Sequence, residues 1–213
     1  MRNPERRRIL QNLAIGVAGG IGGLIHQALA AEPRAFQQGI RRANGDVQVN
    51  GKPARNGTPV RPGDVVTTGA RASAVYVMGD NAFFLRANSQ VDMGHTGIAD
   101  FLRVVSGGLL SVFGKGNRQI ATTTATIGIR GTGCYIEAEP AKSYFCLCYG
   151  EVELTPTNGQ PINYRTSHHE RPLWIENGVT TPASVVNHTD AEVIMLEALV
   201  GRRSPFPPGG SLY

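Results

Sequence analysis

The feature that most limits the fold of this chain is a series of short runs in which apolar residues recur at every second position, each next to a turn signal. DVQV ends at Asn50-Gly51, VVTT follows Gly63, and SAVYVM ends at Gly79; AFFLRA, FLRVV, LLSVF, QIATTTATIGI, CYIEAE and YFCLCYGEVEL are of the same type. Period-two alternation is typical of strands, and Asn-Gly is a strong hairpin signal. The sequence therefore predicts an all-β domain, built as a solenoid-like or sandwich stack of short strands.

One helix is predicted near the end of the chain. Thr189 precedes DAEVIMLEALVG, Glu192 stands three residues later as a capping-box partner, and Gly201 provides a C-terminal stop. The apolar residues of this segment lie on one broad face, so we expect the helix to pack on the sheet. The following RRSPFPPGGSLY is rich in Pro and Gly, and we predict a flexible tail over residues 202–213.

The N-terminus has the three parts of a secretory signal. The basic run Arg6-Arg7-Arg8 precedes an apolar segment over residues 13–25, and the small-residue triplet ALA follows. The apolar segment is shorter than the roughly 20 residues of a membrane-spanning helix, so we predict cleavage, with a retained membrane helix as the alternative. RRRILQ resembles the twin-arginine export signal. We therefore predict a signal peptide over residues 1–30, a linker over residues 31–44 and a periplasmic or otherwise exported protein without a stable membrane anchor.

The charge of the chain gives little support for nucleic-acid binding. The sequence has 21 basic and 16 acidic residues, but four arginines and one glutamate lie in residues 1–30, which leaves 17 and 15. Such a small excess of positive charge, without a clustered basic face, does not form a nucleic-acid footprint. We expect no nucleic-acid partner for the remaining chain, which is long enough for one domain with its own core.

Three motifs, in order along the chain, resemble those of FecR-type domains. GDVQVNG opens the region, GDVVTTG follows, and IGIRGT starts a later strand, all within residues 45–154. The resemblance implies an exported, β-rich sensory domain, commonly part of a transmembrane regulator that relays the state of an outer-membrane iron-siderophore receptor to a cytoplasmic sigma factor. It places the FecR-type β domain at residues 45–154 and a C-terminal extension, ending in the helix, at residues 155–201. Few residues precede the apolar segment, so we expect no cytoplasmic sigma-binding region and an envelope protein as partner.

Three cysteines depart from a generic version of this fold, which needs none. Cys146 and Cys148 are two apart in one strand and share a face, and Cys134 lies in the preceding strand. Pro140 and Ala141, midway between them, are poor residues for a two-residue turn that needs positive φ, so we predict a three-residue loop. Centred on either residue, this loop places Cys134 opposite Cys146 or Cys148, with all three sulfurs on one face.

Histidines follow the cysteines closely enough to complete a metal site. His168 and His169 lie after the cysteine strand, and His188 precedes the helix. Three thiolates and one imidazole would hold zinc, copper or an iron–sulfur cluster, because soft sulfur ligands select these metals. The predicted metal ligands are Cys134, Cys146, Cys148, His168 and His169. Only one of the two adjacent histidines can face the thiols, and His188 is the substitute if neither does.

Two other interpretations of the cysteines stay open at this point, and so does a catalytic one. Cys134 could form a cross-strand disulfide with one partner, or all three thiols could be small apolar core residues. A nucleophile pair of Cys148 and His168 is conceivable, but no common catalytic motif is present and we predict that the chain is not an enzyme. The sequence thus favours an exported FecR-like sensory or carrier module that binds a metal. The alternative is a metal-free FecR-like interaction domain with a disulfide, contacting an envelope protein.

Overall fold

The structure is a computed structural model that describes residues 37–94 and 101–207. The predicted signal peptide, residues 1–30, lies outside the described residues, as do residues 31–36 of the predicted linker and residues 208–213 of the predicted tail. The described part of the chain contains fifteen strands and one helix. The prediction of an all-β domain with a C-terminal helix is therefore confirmed.

The strands form two sheets that pack face to face. In chain order they are β1 (Gly39–Asn44), β2 (Val47–Val49), β3 (Lys52–Pro53), β4 (Val65–Thr68), β5 (Ser73–Met78), β6 (Asn81–Leu85), β7 (Gln90–Asp92), β8 (Phe101–Val112), β9 (Asn117–Ala121), β10 (Ala125–Arg130), β11 (Gly133–Ala138), β12 (Lys142–Pro156), β13 (Ile162–Thr166), β14 (Leu173–Glu176) and β15 (Val179–Pro182). Sheet A has the order β1-β5-β6-β8-β11-β12-β14-β15, and sheet B has the order β3-β2-β4-β7-β8-β9-β10-β12-β13.

The long strands β8 and β12 belong to both sheets. β8 changes from sheet B to sheet A at Gly107, and β12 changes from sheet A to sheet B at Gly150. Both glycines have positive φ values, +74° and +104°, and a Cβ at either position would clash with Ser89 or Thr132. Glycine is therefore required where each strand turns from one sheet into the other.

The central strands of sheet A are buried on both faces. Its inner face packs against sheet B through a large apolar cluster that includes Leu109, Ile136 and Leu147. Its outer face is covered by a second apolar cluster that includes Leu110 and Tyr144, which packs under the helix. Two face-to-face sheets with an added helical layer make the fold a sandwich rather than a solenoid.

The helix α1 (Asp190–Leu199) starts with the predicted capping box. The Thr189 side chain accepts a hydrogen bond from the Glu192 backbone N–H, and the Glu192 carboxylate accepts one from the Thr189 backbone N–H. Val193, Met195 and Leu196 of α1 are buried against the outer face of sheet A. No helix among the described residues is both long and apolar enough to span a bilayer.

Two predicted boundaries need correction. Residues 39–44, in the predicted linker, form β1, which pairs with β5. A bulge between Ile40 and Arg42 breaks the alternation of this strand, so the sequence pattern does not show it. The predicted flexible tail is anchored at two residues: Phe206 is buried, and Arg202 donates hydrogen bonds to the Glu197 carboxylate and the Asp80 carbonyl. The other residues of 203–207 are exposed or half-buried.

The single tryptophan of the chain, Trp174, lies on the outer face of sheet A. Its ring packs edge-on against Tyr144, with 5.1 Å between the centroids, and the Lys142 ammonium lies 4.3 Å above it. These contacts place the indole on the same face of sheet A as α1, against the same apolar cluster.

Candidate metal centre

The hairpin that joins β11 to β12 separates Cys134 from the other two cysteines. Cys134 pairs with Leu147, and Tyr135 pairs with Cys146. The Glu139 backbone N–H donates to the Lys142 carbonyl at 2.9 Å, which closes a two-residue turn at positions 140 and 141. Neither turn residue has a positive φ.

The expectation that all three sulfurs share one face is therefore wrong. The predicted three-residue loop would shift the register by one residue, and a shift of one residue reverses the face of every side chain. Cys134 lies on the inner face of sheet A, where it contacts Ser111 at 3.5 Å between Sγ and Oγ. Cys146 and Cys148 lie on the outer face.

All three cysteines are free and fully buried. Because Cys134 points to the opposite face, its Cβ vector diverges from those of Cys146 and Cys148, and a cross-strand disulfide between them is excluded by geometry.

A tight turn after β13 brings His169 to the paired cysteines. The Glu170 carboxylate accepts hydrogen bonds from the backbone N–H groups of Ser167 and His168. These bonds, with the Ser167 hydroxyl as the largest cause, lower the pKa of Glu170 to about 2. His169 adopts a positive φ of 55°, and its backbone N–H donates to the Cys148 carbonyl at 3.0 Å. The His169 ring thereby lies next to the thiols, with Nδ1 3.4 Å from Cys146 Sγ.

The start of α1 brings two further side chains to the same place. His188 directly precedes the N-cap Thr189, and its Nε2 lies 3.0 Å from His169 Nδ1. Asp190, the first helical residue, is fully buried and faces His169 Nε2 at 3.2 Å. A carboxylate in the first turn is also stabilised by the helix dipole.

Four ligand atoms therefore converge under the helix. The sulfurs of Cys146 and Cys148, one ring nitrogen of His169 and one of His188 all lie within 4.8 Å of one another, and all four residues are buried. In a tetrahedral zinc site with Zn–S about 2.3 Å and Zn–N about 2.0 Å, ligand atoms stand roughly 3.3 to 3.8 Å apart. The observed separations of 3.0 and 3.4 Å around His169 Nδ1 are close to this spacing. This buried group could hold a metal ion.

The outward nitrogen of each histidine in the group is held by an acceptor. His188 Nδ1 lies 2.6 Å from the Val186 carbonyl oxygen, and His169 Nε2 faces the Asp190 carboxylate. Metal-binding histidines almost always donate their second ring N–H to a carbonyl or carboxylate in this way, which fixes the tautomer and the orientation of the ring.

The thiols on the two faces of sheet A have opposite acid–base character. Burial raises the pKa of Cys134 from the ordinary 9.0 to about 12. A hydrogen bond from Cys148 lowers the pKa of Cys146 to about 4, against the effect of burial, and hydrogen bonds from His169 and His188 add to this shift. Burial, followed by the hydrogen bond to Cys146, raises the pKa of Cys148 well above its ordinary value.

Aromatic rings cover the group. Tyr135 stacks on His188 with 4.7 Å between ring centroids and an interplanar angle of 22°. Phe206, from the C-terminal segment, packs over His168 and His169 at centroid distances of 4.7 and 5.2 Å. These rings exclude solvent from the ligand atoms, and a low local dielectric strengthens charge interactions among them.

The structure brings together only some of the residues singled out in the sequence. Cys146, Cys148 and His169 converge, and His188, the substitute ligand, joins them. His168 stays beside the group, 40% exposed, with Nε2 2.9 Å from the second Asp190 oxygen. Asp190 was not found from the sequence, although an acidic residue directly after a His-Thr N-cap is a signal that could have indicated it.

Comparison with known proteins adds limited information. No family model matches the chain, and no curated protein matches it. Two crystal structures of a candidate anti-sigma factor from Parabacteroides distasonis are similar to part of the fold, with TM-scores of 0.47 and 0.48 and 12% sequence identity. In each comparison the match covers 56% of this chain and 59% of the solved chain. A likeness of this degree does not assign a function.

Proposed function

We propose that this chain is an exported, FecR-like sensory or carrier module that holds one zinc ion in a closed site formed by Cys146, Cys148, His169 and His188. The proposal combines the FecR-type motifs and export signal predicted from the sequence with the buried ligand group under α1. Export, the sensory role and the identity of the metal are all parts of the proposal.

The observation that carries the proposal is the way the two imidazoles face each other. The Val186 carbonyl can only accept, so His188 Nδ1 carries the proton of that bond, and Asp190 likewise favours a proton on His169 Nε2. A ring whose proton lies on the outward nitrogen turns a lone pair inward, so in that form His188 Nε2 and His169 Nδ1 direct lone pairs at each other across 3.0 Å and no longer donate to Cys146. Two lone pairs at this distance repel unless a cation lies between them.

A metal ion accounts for this arrangement better than a shared proton does. A shared proton would relieve the repulsion between the histidines, but it would engage only the two ring nitrogens and neither sulfur. A bivalent ion would engage all four ligand atoms, and two thiolates would neutralise its charge in a site without solvent.

Zinc fits the ligand set better than the other predicted metals. Four ligand atoms within 4.8 Å leave room for a single ion and not for a cluster with two or more irons. Cu(I) with two thiolates would leave a net negative charge in a buried site that already adjoins Asp190, whereas Zn²⁺ would not. Four protein ligands without an open position favour a structural or sensing role over catalysis.

The position of the site suggests how metal binding could act as a signal. Its ligands come from β12, from the turn after β13 and from the segment that precedes α1. An ion there would connect sheet A to the start of the helix, because it would bind residues from both. Metal loading would therefore order the helical layer, and a FecR-like module could present this change to an envelope partner.

Metal titration of the full chain tests the proposal. Protein purified in reductant and stripped of metal should take up one Co²⁺ with a sulfur-to-cobalt absorption band, and Zn²⁺ should displace the cobalt. His188→Ala should abolish the band, whereas Ser111→Ala, next to Cys134 on the other face, should leave it unchanged. A chain that folds but shows no thiolate–cobalt band would refute the zinc site and favour the metal-free interaction domain.

A further inference from the structure

A second set of ligand atoms adjoins the Cys₂His₂ group on the side that faces solvent. His168, His169 and Asp190 place one ligand atom each within 4.8 Å of one another. His169 belongs to both sets: its Nδ1 faces the thiols, and its Nε2 faces Asp190 at 3.2 Å. We call His168, His169 and Asp190 the outer triad.

The outer triad lies where an ion would have to pass. The four inner ligands are buried, so none of them offers an ion direct access from water. His168 is the residue of the two sets that reaches solvent, with a side chain 40% exposed, and it contacts Asp190, whose side chain is 1% exposed. The triad therefore forms a continuous line of ligand atoms from the surface to His169.

The chemistry of the triad suits a bivalent cation held weakly. Imidazole nitrogens and a carboxylate oxygen are zinc ligands, and three protein ligands leave at least one position for water. The carboxylate of Asp190 is fully buried, which is favourable only when positive charge or strong donors lie next to it. The Glu170 carboxylate, held by the backbone N–H of His168, adds negative charge at the same surface.

We propose that the outer triad is a capture site that takes a bivalent cation from solvent and passes it to the buried Cys₂His₂ site. This inference rests on the proposed zinc site and adds the route by which it is loaded. The ion would exchange water for His168, Asp190 and His169 Nε2 while the His169 ring proton lies on Nδ1. It would then exchange these ligands for the thiolates and the inward nitrogens, as Nδ1 loses its proton to solvent and Nε2 takes one up and donates it to Asp190. Cys146 binds as the thiolate, and the Cys148 proton leaves to solvent when its sulfur binds the ion.

Loading kinetics test the capture site. In stopped-flow mixing of metal-stripped full chain with Co²⁺, His168→Gln should slow the appearance of the thiolate–cobalt band by about tenfold or more, because it removes the ligand through which the capture site concentrates ions from solvent. The final absorbance should equal that of the wild type. An unchanged rate would overturn the capture site, and a lower final absorbance would instead make His168 part of the inner site.

Two ring variants separate ligation from packing. His168→Phe keeps an aromatic ring against Phe206 but removes the ligand nitrogen, and it should load as slowly as His168→Gln. Phe206→Ala removes the covering ring but keeps the ligand, and it should load at least as fast as the wild type. If Phe206→Ala were the slow variant and His168→Phe were not, packing would control loading and the proposal would fail.

A variant with a broken inner site distinguishes this inference from the proposed function. Cys148→Ser should still bind Zn²⁺ more weakly in a calorimetric titration, and adding His168→Gln should abolish that binding. No binding to folded Cys148→Ser would overturn the outer triad and leave the Cys₂His₂ site standing. Zinc binding that depends on His168, in a wild type without a thiolate–cobalt band, would refute the inner site and leave the outer triad.

Discussion

The two faces of sheet A carry the same chemical group in two different states. On the inner face, Cys134 lies in an apolar cluster with its sulfur 3.5 Å from the Ser111 hydroxyl, and burial raises the pKa of its thiol to about 12. On the outer face, Cys146 lies beside Cys148, His169 and His188, and these neighbours lower the pKa of its thiol to about 4. Both sulfurs are fully buried, so burial alone does not decide the state of a thiol. The donors that face the sulfur decide it.

The largest expected difference between the faces is in metal retention. Cys148→Ser should lower zinc affinity by more than the roughly 10- to 100-fold typical of an outer-shell partner, because it removes a ligand. Cys134→Ser should keep one ion and lower the free energy of unfolding by about 1 to 3 kcal/mol, the cost of burying a hydroxyl. Native mass spectrometry gives the stoichiometry and urea unfolding gives the stability. Equal metal loss in both variants would show that the faces do not differ in function.

Removal of the ion should destabilise the helical layer formed by α1 and leave the packing between the two sheets unchanged. A ligand that binds only the folded state at a thousandfold excess over its Kd stabilises it by about 4 kcal/mol. After chelation, amide hydrogen exchange should accelerate in α1 and in residues 167–170. The strands at the interface between sheet A and sheet B should stay protected from exchange. Uniform acceleration across both layers would mean that the ion supports the whole sandwich and does not act on the helical layer alone.

The carboxylate behind His169 should have a smaller effect. Asp190→Asn keeps all four inner ligands but removes the charge that His169 Nε2 faces, and zinc affinity should fall about 10- to 100-fold. Competition with a chromophoric chelator measures this change. Glu192→Gln, a charge loss in the same first turn without contact to the ligands, is the matched control and should change zinc affinity little.

The smallest effect should be the change in stability per pH unit of the metal-free protein, and the two faces should contribute with opposite sign. The pKa of Cys146 is about 4 in the folded chain and near 9.0 in the unfolded chain. Its contribution to the free energy of unfolding is therefore complete above pH 9 and is lost as pH falls towards 4. Cys134 titrates at about 12, so its contribution is complete below pH 9 and is lost as pH rises towards 12.

Unfolding in urea across this pH range separates the two contributions. Cys146→Ser should reduce the slope of the free energy of unfolding against pH below pH 9. Cys134→Ser should reduce that slope above pH 9. Because Cys148 and the histidines share the charge of Cys146, the slope should stay below the approximately 1.4 kcal/mol per pH unit of a single proton. Slopes of the same sign in the two variants would contradict the contrast between the faces.

Much of the fold could be predicted from the sequence because it depends on local pattern. Alternating runs with turn signals indicated the strands, and Thr189 with Glu192 marked the start of the helix. β1 was not predicted, since the bulge after Ile40 breaks its period. The sandwich could not be told from a solenoid, because that choice depends on where β8 and β12 change sheets.

The site was less predictable, since it depends on register and on distant segments. The face predicted for Cys134 was wrong because a change of one residue in loop length reverses the face of every side chain in the strand. The turn at Pro140 and Ala141 is one residue shorter than predicted. His188 and Asp190 reach the site only because α1 docks on sheet A, a tertiary contact that no local pattern contains. The cysteine pair itself was visible, since residues two apart in a strand share a face.

The position of Trp174 makes the helical layer optically distinct. The chain has one indole, and it packs against Tyr144 on the outer face of sheet A, the face that also carries Cys146. Ultraviolet emission from this protein therefore originates mainly in one layer, and light absorbed by nearby tyrosines can be transferred to it. A coloured ion such as Co²⁺ under the helix would quench that emission by energy transfer, whereas colourless Zn²⁺ would not. The fluorescence of Trp174 therefore reports which of the two ions occupies the candidate site.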